Sequence, residues 1–113
     1  MLEMPEEYSL IVEQQGISLK KYGINEVAFD ADTALSVISS LKGLSIVILG
    51  GDVYRWNGNE AEHTYDNWYV PECGNQLASV YLENSWKKAE GFINNYRRQN
   101  GEGFIYSLVL STK

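Results

Sequence analysis

Asp52 and His63 form the most suggestive ionisable pair in this sequence of 113 residues, and His63 is its only histidine. They lie on either side of Asn57-Gly58, a dipeptide typical of tight hairpin turns, so strand pairing would bring them opposite each other. A histidine oriented by a carboxylate is a common acid–base unit, and with Asp66 the pair suggests a small acidic hydrolase. No obvious nucleophile accompanies them, however, and paired polar side chains more often only satisfy each other's hydrogen bonds.

The other residues that could form a catalytic, metal-binding or phosphate-binding site are weak candidates. Asp52, Asp66 and Glu72 offer oxygen ligands to a hard cation, but their spacing matches no calcium-binding loop. Gly50-Gly51 resembles a phosphate-binding turn only superficially, because the following aspartate would repel phosphate, so we assign both glycines to backbone geometry. Cys73 is the only cysteine, which rules out an internal disulfide and favours a reducing compartment. We therefore predict no catalytic residue, no metal site and no cofactor.

The hairpin is distinguished instead by aromatic rings and carboxylates. Five Tyr or Trp residues and five Asp or Glu residues fall between Asp52 and Glu72. Rings supply buried anchors to a protein-binding surface, and charges of one sign speed encounter and select the partner. The alternative is that the rings belong to the core and the carboxylates only solvate the hairpin; strand alternation predicts a mixture. We predict these partner-binding residues: Asp52, Tyr54, Trp56, Glu60, Glu62, Asp66, Trp68 and Tyr69. Whichever of Trp56 and Trp68 is exposed is expected to anchor the interface.

The strands that position these residues follow from hydrophobic spacing. Leu44–Leu49 is a short, β-branched apolar run, which predicts a central strand. Gly50-Gly51 predicts a bulge, a bend or a close backbone approach, and an alternating strand over Asp52–Trp56 leads to the turn. A return strand over Asn59–Tyr69 follows the turn. Phe104–Leu110 is apolar enough to pair inside the sheet, and Ile24–Phe29 suggests a further short strand.

The turn decides which hairpin residues face each other. A two-residue type I′ turn at Asn57-Gly58 places Arg55 opposite Glu60. A four-residue loop shifts the pairing by two residues and places Arg55 opposite Glu62. Because both registers keep the same parity, they assign the same side chains to each face. In either register the apolar face is lined by Tyr54, Trp56, His63 and Tyr65.

Helical spacing is clearest after the hairpin, where a long amphipathic helix is predicted from an N-cap at Asn75 to a stop near Gly101. Its apolar stripe consists of Ala78, Tyr81, Leu82, Ser85, Trp86, Ala89, Phe92, Ile93 and Tyr96. Shorter helices are predicted over residues 5–15 and, after an N-cap at Asp30, over residues 31–42. The sequence thus predicts an α+β fold: a mostly antiparallel sheet of four to five strands, with the long helix and one or two shorter helices packed on it.

Length and charge narrow the possible functions. A chain of 113 residues is predicted to form a single domain over residues 1–113. Its formal net charge of −6 argues against binding nucleic acid or an anionic membrane and favours a basic partner. The N-terminal residues lack the basic start and apolar run of a signal peptide, and no segment has the roughly 18 apolar residues of a membrane span. We therefore predict a cytoplasmic protein, with its oligomeric state open; a homo-oligomeric structural domain is a third interpretation.

Three strings of residues carry a family resemblance. They are Gly50-Gly51-Asp52-Val53-Tyr54, Tyr65-Asp66-Asn67-Trp68-Tyr69 and, at the end of a helix that contains Ser85, Ile93-Asn94-Asn95-Tyr96. In this order and at this separation they resemble the immunity protein 40 family of bacterial polymorphic toxin systems. The likeness extends from about Gly23 to Leu110 and includes Gly23-Ile24, Val27-Ala28-Phe29 and Ala34-Leu35.

The resemblance implies an α+β protein that stays in the producing cell and blocks a cognate toxin delivered by neighbouring cells. It assigns no catalytic role to Asp52 or Asp66. If the toxin is a nuclease, its substrate-binding surface is basic, and an acidic inhibitor would dock there or beside it. The sequence therefore favours an immunity protein that neutralises a toxin by protein–protein interaction, with the small hydrolase as the alternative.

Overall fold

A five-stranded sheet is covered on one face by three α-helices in the computed structural model, which describes residues 4–112. The elements in chain order are α1 (Glu6–Gln15), β1 (Ile17–Ser18), β2 (Val27–Asp30), α2 (Ala31–Leu41), β3 (Ile46–Trp56), β4 (Ala61–Tyr69), α3 (Ala78–Asn100) and β5 (Phe104–Thr112). The strands are arranged in the order β1-β2-β5-β3-β4, and each neighbouring pair is antiparallel. This architecture confirms the predicted α+β class, with its long helix and two shorter ones.

Strands β3 and β5 form the centre of the sheet. β5 lies between β2 and β3, which confirms that the apolar run beginning at Phe104 pairs on both sides. β3 joins the predicted central strand to the predicted hairpin strand and runs through Gly50-Gly51, because both glycines pair with β4 as well as β5. The irregularity is a bulge at Leu49, where the register between β3 and β5 shifts by one residue. The glycines therefore lie within the strand and do not end it.

The long helix α3 is held on the sheet by two side chains of its buried face. The Ser85 hydroxyl accepts a hydrogen bond from the Ile48 N–H at 3.1 Å, and the Trp86 indole N–H donates to the Ile46 carbonyl at 2.9 Å. The predicted apolar stripe is buried or half-buried except for Ala78, which is exposed. The helix-facing core joins this stripe to residues of the sheet and of α2, among them Phe29, Val37, Ile38, Val53, Trp68 and Tyr106.

Of the predicted N-caps of α2 and α3, the first is confirmed and the second is wrong. Asp30 caps α2 by accepting a backbone N–H bond of 2.8 Å, as predicted. Asn75 is not the N-cap of α3: Leu77 occupies that position and offers no capping bond. The prediction was wrong because the chain first makes a turn, in which the Gln76 N–H donates to the Cys73 carbonyl at 3.1 Å, and this turn delays the start of the helix.

The face of the sheet that points away from the helices, here called the outer face, is only partly covered. A second, small core lies on it and consists of Leu19, Ala28, Tyr54 and Ile105. The chain between β1 and β2 supplies its cover, with a 3-10 turn at Lys20–Tyr22 that ends at Gly23 (φ 80°). At the other end of the outer face Val109 remains 37% exposed. The hairpin residues that face this uncovered end are therefore accessible from outside the molecule.

Candidate functional site

The β3–β4 hairpin turns through a four-residue loop, so the type I′ turn is wrong and the alternative register is correct. Arg55 accordingly pairs with Glu62. The Asn57 side chain explains the longer loop, because its Oδ1 accepts the N–H groups of Asn59 and Glu60 at 2.9 and 2.7 Å. A side-chain-mediated turn thus replaces the backbone turn that the dipeptide predicts.

Two of the predicted contact residues are engaged in ion pairs. Glu60 pairs with Lys21 at 2.9 Å, and its second oxygen accepts the Tyr22 hydroxyl at 2.7 Å. The hydrogen bond between the two charged groups lowers the pKa of Glu60 and raises the pKa of Lys21. Glu62 lies 3.7 Å from Arg55. Glu60 therefore fastens the tip of the hairpin to the segment that covers the outer face.

Two of the predicted contact rings, Tyr54 and Trp68, lie in the core. Tyr54 is 3% and Trp68 is 6% exposed. Trp68 stacks on Phe92 of α3 at a centroid distance of 4.7 Å and covers Gly51, where a Cβ atom would lie 2.4 Å from its ring. Its indole N–H has no acceptor among the described residues, so packing holds this ring. Trp56, which is half-buried, is the tryptophan left to meet a partner.

The motif strings of the hairpin pair with each other in the sheet. The facing pairs are Gly50 with Tyr69, Gly51 with Trp68, and Asp52 with Asn67. From the third string, the Tyr96 hydroxyl donates to Asp66 Oδ2 at 2.7 Å. Burial and this bond to a carboxylate both raise the pKa of Tyr96. The strings therefore hold β3, β4 and α3 together, so much of the motif has a structural role.

Strand β4 contains a bulge that the sequence does not reveal. Between the Asp52–Asn67 and Tyr54–His63 pairs, β3 has one residue and β4 has three. The middle one, Tyr65, has φ 68°, a left-handed conformation that costs a non-glycine residue about 1–2 kcal/mol. Three hydrogen bonds hold it: Thr64 Oγ1 to the Val53 carbonyl (2.8 Å), the Tyr65 N–H to His63 Nδ1 (2.8 Å) and the Asp66 N–H to Thr64 Oγ1 (3.1 Å).

The residues of the hydrolase alternative are not gathered in one site. His63 Nε2 lies 4.0 Å from Asp52 Oδ1, which is beyond hydrogen-bond distance. Because His63 Nδ1 accepts the Tyr65 N–H, the proton of the neutral imidazole is on Nε2. Asp66 instead faces α3, where it accepts the Tyr96 hydroxyl. The aspartates of the set therefore lie on opposite faces of the sheet.

The exposed rings of the hairpin are Tyr65 and Tyr69, which are 81% and 70% exposed. The Tyr65 ring stacks on His63, and the His63 ring contacts Tyr54, with both centroid distances 4.7 Å. Tyr69 has the Lys88 ammonium 5.9 Å from its ring centroid. Tyr65 and His63 are absent from the predicted contact set. No sequence signal marks the bulge at Tyr65.

The described part of the chain contains neither a candidate metal-binding cluster nor a helix that could span a membrane. No group of three or more His, Cys, Asp or Glu residues within residues 4–112 is arranged to hold a metal ion. Nor is any helix described there long and apolar enough to cross a bilayer.

Comparison with known families agrees with the motif strings. A family model described as Immunity protein 40 matches residues 18–110 of the 113-residue chain. The match includes β2, α2, the whole hairpin and α3, and therefore every hairpin residue described above. No curated protein and no solved structure matches the chain at a significant level.

Proposed function

The chain belongs to the immunity protein 40 family, and on this premise we propose that it binds and neutralises a cognate bacterial toxin by direct protein–protein contact, in the cytoplasm of the producing cell. The observation that carries the proposal beyond family membership is the surface of the hairpin. There the exposed rings of Tyr65 and Tyr69 share the outer face with Asp52, while the exposed carboxylates of Glu62 and Asp66 lie on the other face of the hairpin. Exposed rings serve as anchors in protein interfaces, and charges of one sign select the partner.

The predicted contact set contributes to this surface in two ways. Its accessible members are Asp52, Trp56, Glu60, Glu62, Asp66 and Tyr69. Its buried members act from the core: Tyr54 lies beneath the His63 ring, and Trp68 fills the space above Gly51. Replacing either buried ring would disturb the surface indirectly, through the fold.

Charge supports a basic toxin. The formal net charge of −6 favours a partner with a positive surface, such as a nuclease with a basic substrate-binding site. An acidic protein that covers such a site excludes the nucleic acid without contacting it. A small hydrolase is less well supported, because Asp66 binds Tyr96 on the helical face while Asp52 and His63 lie on the outer face.

The proposal is tested by co-expressing the protein encoded immediately upstream with and without this chain and scoring growth. Growth arrest by the upstream protein alone, relieved by this chain, supports immunity. Assays with the purified proteins then distinguish an inhibitor that binds the toxin from an enzyme that inactivates it. A binding inhibitor needs about one molecule per toxin molecule, whereas an enzyme protects well below that ratio. Failure to relieve the arrest, or protection far below equimolar amounts, would contradict the proposal.

A further inference from the structure

The outer face has one uncovered region beside the hairpin, here called the open patch and defined as Asp52, Tyr65, Asn67, Tyr69 and Val109. Asp52, Asn67, Tyr69 and Val109 line a shallow depression together with Gly50 and Gly51. Tyr65 lies outside this lining and joins the patch through His63, which stacks on the Tyr65 ring and lies 4.0 Å from Asp52. On the same face, Tyr54 and Ile105 are 3% and 0% exposed beneath the segment after β1, whereas Val109 and Tyr69 are 37% and 70% exposed. A sheet face that is packed at one end and open at the other leaves apolar surface for a partner to cover.

Charge distinguishes the open patch from the tip of the hairpin. Glu60 and Glu62, near the tip, are each paired with a lysine or arginine of this chain. Asp52 has no lysine or arginine partner within residues 4–112; its nearest basic group is the His63 imidazole at 4.0 Å. The Asp52 carboxylate is therefore open to a cation from another molecule, whereas a cation approaching Glu60 must displace an existing ion pair.

The rings of the open patch are suited to the same cation. The Tyr65 ring is fixed by the hydrogen bond from its own N–H to His63 Nδ1 and by stacking on the imidazole, yet it is 81% exposed. A ring that is already immobilised loses little conformational entropy when it binds. Tyr69 contributes a second exposed ring on the other side of Asn67. A guanidinium group satisfies both features, because it pairs with carboxylates and stacks on aromatic faces.

We propose that the open patch is the surface that contacts the toxin, and that it receives an arginine side chain of the toxin, which pairs with Asp52 and stacks on Tyr65. This inference rests on the proposed function and specifies where and with what chemistry the toxin binds. It adds Tyr65 to the contact set, and it moves the main contact from the ion-paired tip of the hairpin to the outer face.

The test compares the affinities of purified variants for the protein encoded immediately upstream. Asp52→Asn is expected to weaken binding at least tenfold and Tyr65→Ala about 30-fold, the loss typical of an interface anchor. Glu83→Gln and Leu77→Ala are matched controls: the first removes a charge that is already paired with Lys87 on α3, and the second removes an apolar side chain that is 73% exposed elsewhere. Both controls are expected to bind within about threefold of the wild type.

Tyr65→Asn guards against a folding artefact, because asparagine tolerates left-handed backbone better than most residues. It is expected to repeat the affinity loss of Tyr65→Ala while the thermal unfolding midpoint stays near that of the wild type. If Asp52→Asn and both Tyr65 variants bind within about threefold of a wild-type protein that binds and protects, the open patch is wrong and the proposed function stands. If the wild type neither binds nor protects, the proposed function fails, and this inference fails with it.

The arginine is tested on the toxin side. Each arginine of the toxin domain is changed to glutamine and assayed against the wild type and against Asp52→Asn. For one of these arginines, the loss of affinity is expected to shrink at least about fivefold in the Asp52→Asn background, because paired residues do not contribute independently. Independent effects for every arginine would overturn the ion pair.

Discussion

Gly51 is the residue on which the packing of the hairpin depends. A Cβ atom at this position would lie 2.1 Å from the Ser107 carbonyl oxygen and 2.4 Å from the Trp68 ring. The carbonyl belongs to β5, and it cannot retreat without opening the centre of the sheet. Gly51→Ala is therefore expected to lower the free energy of unfolding by about 3 kcal/mol, measured by urea denaturation.

The control for this substitution is Gly91→Ala. Gly91 lies inside α3, and a Cβ atom there would meet no atom within 4 Å. Alanine should raise the free energy of unfolding by about 0.5–1 kcal/mol, because glycine is the poorer helix former. Equal effects at Gly51 and Gly91 would show that close contact with Trp68 is not the reason for glycine in the strand.

Deprotonation of the buried Tyr106 is expected to lower the free energy of unfolding at alkaline pH. Burial raises the pKa of this phenol from 10.0 to about 12. Because the folded pKa exceeds the unfolded one, the stabilising contribution is complete below about pH 10 and is lost as pH rises through about 12. We expect the free energy of unfolding to fall less steeply over this range for Tyr106→Phe than for the wild type, in urea titrations at several pH values. Identical slopes would contradict this assignment.

The types of the site residues can be predicted from sequence better than their exposure. The predicted alternation of the hairpin is confirmed, since Tyr54 and His63 share one face of the sheet. That this face points away from the helices was not predicted. Parity does not reveal the bulge at Tyr65, which depends on bonds among Thr64, Val53 and Asp66 that no local pattern encodes. Nor does it distinguish an exposed Trp68 from a buried one, because its burial depends on the contact with Phe92 on a distant helix.

At the scale of the elements, the packing of α3 on the sheet includes a buried polar contact. The buried Ser85 hydroxyl accepts the Ile48 N–H of β3 and donates to the Leu82 carbonyl of its own helix. Ser85→Ala leaves the Ile48 N–H buried without an acceptor and is expected to cost about 1–3 kcal/mol in the free energy of unfolding. Ser79→Ala, at an exposed position of the same helix, should change it by less than about 0.5 kcal/mol. Equal values for the two variants would contradict a docking role for Ser85.

Helices and strands were predicted correctly where the hydrophobic pattern extends over many residues. Caps and turns, which depend on one or two residues, were predicted less well. The apolar stripe of α3 repeats over many turns, so its existence and its stop near Gly101 could be predicted. The cap at Asn75 and the turn at Asn57-Gly58 were wrong, because each rests on one or two residues whose backbone or side chain has another hydrogen-bonding option. Asn57 takes that option when its Oδ1 accepts two N–H groups of the loop.

For the molecule as a whole, the sequence pattern predicts the class of fold but not which part of the outer face is covered. The segment that covers it packs through the buried Leu19 and is joined to the hairpin by the bond between Lys21 and Glu60, which are 39 residues apart in the chain. Because such a contact links two exposed polar residues, hydrophobic periodicity does not report it. The open patch is the part of the outer face that this segment leaves uncovered, so its position depends on contacts between residues far apart in the sequence.

Charge acts at the scale of the whole molecule through the rate of association. Reversing the charges of Glu60, Glu62 and Asp66 brings the formal net charge from −6 to zero, and so does reversing Glu6, Glu7 and Glu13 on α1. If the hairpin steers the toxin, the first triple variant should slow association about tenfold or more at low ionic strength and the second much less, because a local field acts mainly near its source. Stopped-flow binding at about 0.01 M and 0.15 M salt measures this difference, which should shrink at the higher concentration. Equal slowing by the two variants would assign the effect to net charge, and an unchanged rate for both would exclude steering.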